Sequence, residues 1–177
     1  MTTSDIANIL EAQFSSAILA KKLDGHDPCV IVEASALVDI CYFLRDDPRL
    51  RFDMLNDITG VDYLEIEAKK VAKAGFEPHL EVLYHLSCFA VPGRRFTVKL
   101  SLPRWLGDTP GALPEVPSVA EVWRAADWHE REVYDLLGIR FLGHPDPRRI
   151  LLSDDWVGHP LRKDYEFPLE YHDIRCR

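Results

Sequence analysis

The chain has 177 residues, 47% hydrophobic and 28% charged, the proportions of a folded globular protein rather than of a disordered or fibrous one. Its formal net charge of -8 opposes long-range attraction to nucleic acid or anionic lipid, despite local basic pairs such as Arg94 with Arg95 and Arg148 with Arg149. The opening MTTSDIANILEAQF lacks the basic region and unbroken apolar stretch of an export signal. No run approaches the roughly 20 apolar residues of a membrane span, so a soluble chain with no direct membrane span is expected.

Ser4 is placed to cap a first helix with Ile6, Ile9, Leu10, Phe14, Ala17 and Ile18 at helical spacing. Its end is predicted near Lys21 or Lys22, where positive charge suits the carbonyl terminus. Pro28 leads into the β-rich run Cys29-Val30-Ile31-Val32, and Ser35 is predicted to cap a second helix reaching about Arg45, closed off by Pro48. Three strands are predicted over residues 54–66, 80–90 and 95–102. In the second, Val82, Tyr84, Leu86 and Cys88 alternate with Leu83, His85, Ser87 and Phe89, so both faces carry apolar groups. The third looks one-sided, with Phe96, Val98, Leu100 and Leu102 opposed to Arg95, Thr97, Lys99 and Ser101. Val91-Pro92-Gly93-Arg94 reads as a turn that makes these two strands antiparallel neighbours.

Proline and glycine between Pro103 and Pro117 mark an exposed connection. Beyond it, Ser118 with Glu121 and Asp127 with Glu130 have the spacing of capping boxes for two helices, the second ending at Gly138. The expected fold is α+β: a body over residues 1–137 with a small mixed or antiparallel sheet covered by helices. Residues 138–177 are expected to form an extended C-terminal strap. There, Gly138, Gly143, Pro145, Pro147, Gly158 and Pro160 interrupt helix and strand alike. Yet Ile139, Phe141, Leu142, Ile150, Leu151, Leu152, Trp156, Val157, Leu161 and Tyr165 must leave water. A segment too apolar to be disordered and too broken to fold alone is predicted to lie on another protein.

Chemistry-bearing patterns are sparse. Cys29, Cys41, Cys88 and Cys176 form no CxxC pair and read as buried thiols. HEREV at 129–133 begins like a zinc-protease motif but has Val133 where the second histidine belongs. A metal-dependent hydrolase using His129, Glu130 and a distant histidine such as His144 or His159 is the rival reading. Glu130 falls on the apolar face of its helix, so it either caps that helix or pairs with an arginine such as Arg148, Arg149 or Arg162. Arg131 and Asp135 have the spacing of a weak surface pair. Arg148, Arg149, Arg162, Lys163 and Asp164 stand among apolar groups, as interface charges do. With no phosphate loop, nucleophile elbow or catalytic dyad, no catalytic residue, metal site or cofactor is assigned, and a binding subunit is favoured over an enzyme.

The run HEREVYDLLGIRFLGHPDPRRILLSDDWVGHPLRKDY resembles the signature of the C subunit of the proton-pumping NADH-quinone oxidoreductase, respiratory complex I. NDITGVDYL, EVLYHLSCF and RRFTVKLSLP are similar to the sheet of that family, and the likeness covers roughly residues 50–173. It implies a peripheral-arm subunit without a cluster, on the cytoplasmic side of the inner membrane. Such a protein braces the quinone-site (D) subunit and touches other peripheral-arm subunits while the whole complex carries electrons from NADH to quinone. By the same resemblance, Glu130, Arg131, Glu132, Tyr134 and Asp135 lie on an interfacial helix. Arg148, Arg149, Trp156, His159, Pro160, Leu161, Arg162, Lys163, Asp164 and Tyr165 lie on the strap. Related membrane-bound hydrogenases and the photosynthetic NDH complex contain equivalent subunits.

Overall fold

The computed structural model of the chain describes residues 1–24, 28–71 and 73–176. Helix α1 spans Thr3–Gln13. Thr2, rather than Ser4, caps it: the Asp5 amide donates to the Thr2 hydroxyl at 3.2 Å and the Thr2 amide donates to the Asp5 carboxylate at 2.7 Å. Phe14 leaves the helical conformation, and the chain continues as strand β1 (Ile18–Lys22), not as the last turns of the helix. Ser15 and Ser16 are weak helix formers, and Ile18, Ala20, Lys21 and Lys22 find partners in strand β2 (Cys29–Val32). The expected position of Lys21 and Lys22 at a helix end is therefore corrected. They lie on an edge strand, and Lys21 reaches Glu11 at 2.7 Å.

A short 3₁₀ turn over Ala34–Ala36 precedes helix α2 (Leu37–Asp46). Ser35 sits within that turn and donates to Glu33, so it does not cap α2, which has no side-chain cap. Strand β3 (Met54–Tyr63), a single helical turn α3 (Ala68–Val71), strand β4 (His79–Ser87) and strand β5 (Arg95–Leu102) follow. The sheet runs β1-β2-β5-β4-β3. Its β3-β4-β5 meander is antiparallel as expected, whereas β2 lies parallel to β5, which makes the sheet mixed.

One sheet face is the core. Leu80, Val82, Tyr84 and Leu86 of β4 oppose Leu102, Leu100, Val98 and Phe96 of β5, and α1 and α2 contribute Ile6, Leu10, Leu37, Ile40 and Leu44 to the same cluster. The one-sided reading of β5 is incomplete, because Thr97 and Lys99 are buried as well. As the central strand, β5 has its polar face covered by neighbours: Lys99 donates to Glu81 at 2.7 Å, and Thr97 bonds the ring of His85. On β3 a bulge between Leu55 and Asp57 sets the register so that Ile58, Gly60 and Asp62 share the core face with Tyr84, Val82 and Leu80.

The connection after Pro103 is not wholly exposed. It ends in strand β6 (Glu115–Pro117), whose Val116 is fully buried. Residues 118–125 form turns instead of a first capped helix, and helix α4 (Ala126–Leu137) starts from Ala125 without a side-chain cap. Neither expected capping box forms, because Ser118 and Glu130 bond each other across the bend. Gly138 ends α4 in the left-handed region, φ 68°. α4 lies on β3 at Gly60, where a Cβ would stand 2.3 Å from Leu137 Cδ1 and 3.2 Å from Val133 Cγ1. A side chain there would require Leu137 to shift, so the glycine lets the helix sit close on the strand. Strand β7 (Arg140–Leu142) pairs parallel with β6, and Ile139 and Phe141 join the core. Beyond it the described chain forms turns and one small hairpin, β8 (Glu170–Tyr171) with β9 (Ile174–Arg175). Cys29, Cys41 and Cys88 are buried as expected, but Cys176 is exposed.

Candidate partner interface

The segment after β7 is clasped to the body by buried charge. Asp135, with no exposed side-chain surface, is the first anchor. Its Oδ2 accepts the successive backbone N–H groups of Ile150, Leu151 and Leu152 at 3.0, 2.8 and 3.0 Å, and its Oδ1 accepts Arg149 at 2.8 Å. Burial alone would raise this carboxyl, but the four donors outweigh it and hold Asp135 below the usual carboxylate range. Arg149 also donates to the Gly158 carbonyl at 3.0 Å, and His159 donates through Nδ1 to the Asp135 carbonyl at 2.9 Å. The His159 ring rests on Gly138, where a Cβ would be 2.4 Å from Cδ2. Its burial lowers its pKa, against the pull of the Asp135 carbonyl.

Arg162 is the second anchor. It donates to the carbonyls of Leu137, Gly138 and Arg104 at 2.6, 3.2 and 2.9 Å, and its guanidinium lies 4.3 Å from the Trp105 ring centroid. A cation is thereby fixed at the carbonyl end of α4, where the orphan oxygens and the helix dipole favour it. Burial, and then the nearby Arg104, lower its pKa. The third anchor is a bridge from Asp62 through Arg104 to Asp164. Arg104 grips Asp62 with two bonds of 2.8 Å and Asp164 with bonds of 2.7 and 3.0 Å, while the Lys163 amide donates to Asp62 at 2.8 Å. Burial works against the Arg104 charge, but Asp164 and Asp62 prevail and raise its pKa.

The polarity of this segment is inverted relative to a core element. Arg149, Arg162 and Asp164 bond the body, whereas Leu142, Leu151, Leu161, Phe167, Leu169 and Ile174 are exposed, with Leu169 at 70% and Val157 at 84%. Ile150, Leu152, Trp156 and Tyr165 are half-buried. Ile139 and Phe141 differ from the expectation for the tail, since they are buried in the chain's own core. On α4, Trp128 adds a 63% exposed aromatic, stacked at 4.3 Å by Arg131.

Several individual assignments are corrected. Glu130 neither caps α4 nor meets an arginine. Its carboxylate accepts the Ser118 hydroxyl at 2.6 Å and the Val119 amide at 2.7 Å, and burial pushes its pKa up to about 7. Arg131 pairs with Asp127 at 3.0 Å and Asp146 at 3.5 Å, not with Asp135. Both Arg131 and Asp135 are buried instead of forming a surface pair. Arg162 is turned inward, while Arg148 pairs with Asp146 in solvent and Glu132, Lys163 and Asp164 are exposed. The three histidines of the metal reading are dispersed. His129 is 3.4 Å from Asp57, His144 donates to the Asp127 carbonyl, and His159 sits at Asp135. Among the described residues, no group of three or more His, Cys, Asp or Glu converges to hold a metal. Asp62, Arg104 and Trp105 were not singled out from the sequence. The available signal was an acid at an inward-facing strand position, which requires a buried partner.

The description of the family whose model matches residues 30–171 is respiratory-chain NADH dehydrogenase, 30 Kd subunit. The NADH-quinone oxidoreductase C subunit of Chloroherpeton thalassium is 44% identical over 170 residues, covering 94% of this chain and 62% of that protein, so the chain spans less than two thirds of that relative. The same subunit of Roseiflexus castenholzii is 42% identical over 155 residues, covering 88% of this chain and 79% of that protein. That of Geobacter sulfurreducens is 39% identical over 165 residues, covering 93% and 88%. Among solved structures, a trypsin-resistant fragment (1-134) of Nqo5 in a P63 form matches with a TM-score of 0.57 and 28% identity, covering 80% of this chain and 98% of that one.

Proposed function

The chain belongs to the family of the 30 Kd subunit of respiratory-chain NADH dehydrogenase, and from that premise we propose that it is a non-redox, peripheral-arm subunit that braces the quinone-site subunit. The reading rests on the inverted polarity of the tail. Apolar side chains that a lone domain would bury stand outward, in the arrangement of a surface awaiting a partner. In this reading the body runs to Gly143, since Ile139 and Phe141 lie in its core, and the partner-binding strap follows it rather than starting at residue 138; the name of the Nqo5 fragment, a trypsin-resistant piece, is in keeping with a compact body and a separable tail. Electrons pass from NADH to quinone through other subunits, and this chain contributes position. No described helix is long and apolar enough to cross a membrane; in the proposed assembly the subunit stands at the cytoplasmic face of the membrane, held there by its partners.

Because Ile139 and Phe141 belong to the core, the truncation that tests the reading falls after Gly143. The shortened chain is expected to keep a cooperative unfolding transition and to lose co-purification with the quinone-site subunit. Recovery of the intact complex from that truncation would overturn the proposal.

A further inference from the structure

The sheet ends in two edges of different character. β1 is short, mostly exposed and carries Lys21 and Lys22, features that stop an edge from recruiting another strand. β3, at the opposite end, has ten residues. From Ile58 to Tyr63 it holds no lysine, arginine or proline, and its bulge lies earlier, at Leu55 to Asp57. Its backbone bonds β4 on one side. Among the described residues, no hydrogen bond from main chain or side chain reaches the outward backbone groups of residues 58–63. Beside this edge runs a groove of about 150 Å³, lined by Ile58, Val133, Leu137 and the exposed Leu161 together with the carboxylates Asp57 and Glu132.

We propose that the outer edge of β3 is a second docking site, which takes an extended strand of another protein of the complex whose alternate side chains are apolar toward α4 and which places a lysine or arginine beside Asp57 and Glu132. Unpaired backbone donors and acceptors in a row are complementary to a strand and to little else. The two carboxylates, the Asp57 side chain 48% exposed, select a basic neighbour. They also disfavour a second copy of this chain, because self-pairing would bring the acidic walls of two molecules of net charge -8 together.

The inference rests on the proposed place in a multi-subunit complex, and amide hydrogen exchange of the full-length protein, alone and in the purified complex, tests both separately. Alternate amides of residues 58–63 are expected to exchange at least ~100-fold more slowly in the complex, the protection of a ladder that opens only with the assembly. Equal exchange there, with residues 150–169 more protected in the complex than in the isolated protein, would overturn the strand site and leave the strap reading standing. No gain in protection at 150–169 on assembly would count against the strap instead. Protection of 58–63 that arises in the isolated protein with rising concentration would assign the edge to self-pairing and also overturn the proposal. Glu132→Lys, a change at an exposed position, is expected to reduce the protection of 58–63 in the complex while leaving the Tm of the isolated protein unchanged; full protection in that variant would refute the basic partner.

Discussion

Glu130 gives the sharpest energetic consequence of the fold. The side chain is fully buried, its two oxygens accept the Ser118 hydroxyl and the Val119 amide, and His144 Nε2 lies 3.9 Å away. Burial raises the carboxyl against the pull of these two donors, and Asp127 adds repulsion, so its pKa climbs from 4.5 to about 7. For an acid raised in the folded state, the favoured form is the protonated one. Its contribution is whole below the unfolded value of 4.5, declines as pH rises, and is spent above about 7. At about 1.4 kcal/mol per pH unit the full span comes to about 3 kcal/mol, of which about 2 kcal/mol falls between pH 5.5 and 8. Glu130→Gln removes the titration and keeps a carbonyl for Val119, while its amide donates to the Ser118 oxygen. Urea unfolding of both proteins is therefore expected to show the variant gaining on the parent by about 2 kcal/mol from pH 5.5 to 8, or roughly 4 to 8 °C in Tm for a chain of this size. Taking the difference between the two proteins cancels every other titrating group. A stability difference that stays constant across that range would refute the reasoning.

Asp135→Asn turns an amide toward three backbone donors and leaves Arg149 without its charge partner, so the tail should become open to trypsin at Arg148 and Arg149 while the body stays resistant, which a digestion time course reads directly. In the parent protein the same carboxyl is lowered, so its contribution is complete above the ordinary carboxylate pKa and fades as pH falls through the native one; the protection of amides 150–152, taken relative to their intrinsic exchange rate at each pH, is expected to fall on acidification, and pH-independent protection would contradict the anchor. Arg162→Ala leaves three carbonyls and the Trp105 face without their cation and is expected to lower stability of the isolated protein by about 2 to 4 kcal/mol in thermal unfolding, with little recovery in Arg162→Lys because one ammonium cannot span the three acceptors.

The parts of the fold that were legible in the sequence are those whose signal is local. Alternation marks β4 and β5, Val91 to Arg94 joins them, and Gly138 stops α4. β1 was hidden because Phe14, Ala17 and Ile18 continue the helical spacing of α1, and only the distant β2 gives those residues a better partner. The capping boxes failed for a related reason. Ser118 and Glu130 each have a local use, but they lie twelve residues apart and bond each other once α4 packs on the sheet. The family was legible in the tail's unusual run of residues, whereas its charge pairing was not, because the partners are remote. Lys163 meets Asp62 across 101 positions and Arg104 meets Asp164 across 60. No periodicity encodes such pairs. What the sequence does carry is the demand for them, in an aspartate placed at the core face of a strand and arginines set among leucines.

That demand also explains why the tail folds back with its charges inward. A proline- and glycine-broken segment cannot satisfy all of its own donors, so it borrows acceptors from the body: the Asp135 carboxylate for three amides, the terminal carbonyls of α4 for the Arg162 side chain, and Asp62 for the Lys163 amide. Each anchor fixes the backbone without using an apolar side chain, which leaves Leu151, Val157, Leu161 and Leu169 free to face outward. A partner that covers those residues meets a surface already ordered and gains apolar burial without first bearing the entropy of shaping the strap. In the proposed assembly the buried charges are thus the means of preorganisation, and the exposed leucines are what it presents. Exchanging the two sets would give a tail satisfied by its own body, with nothing left to hold a neighbouring protein.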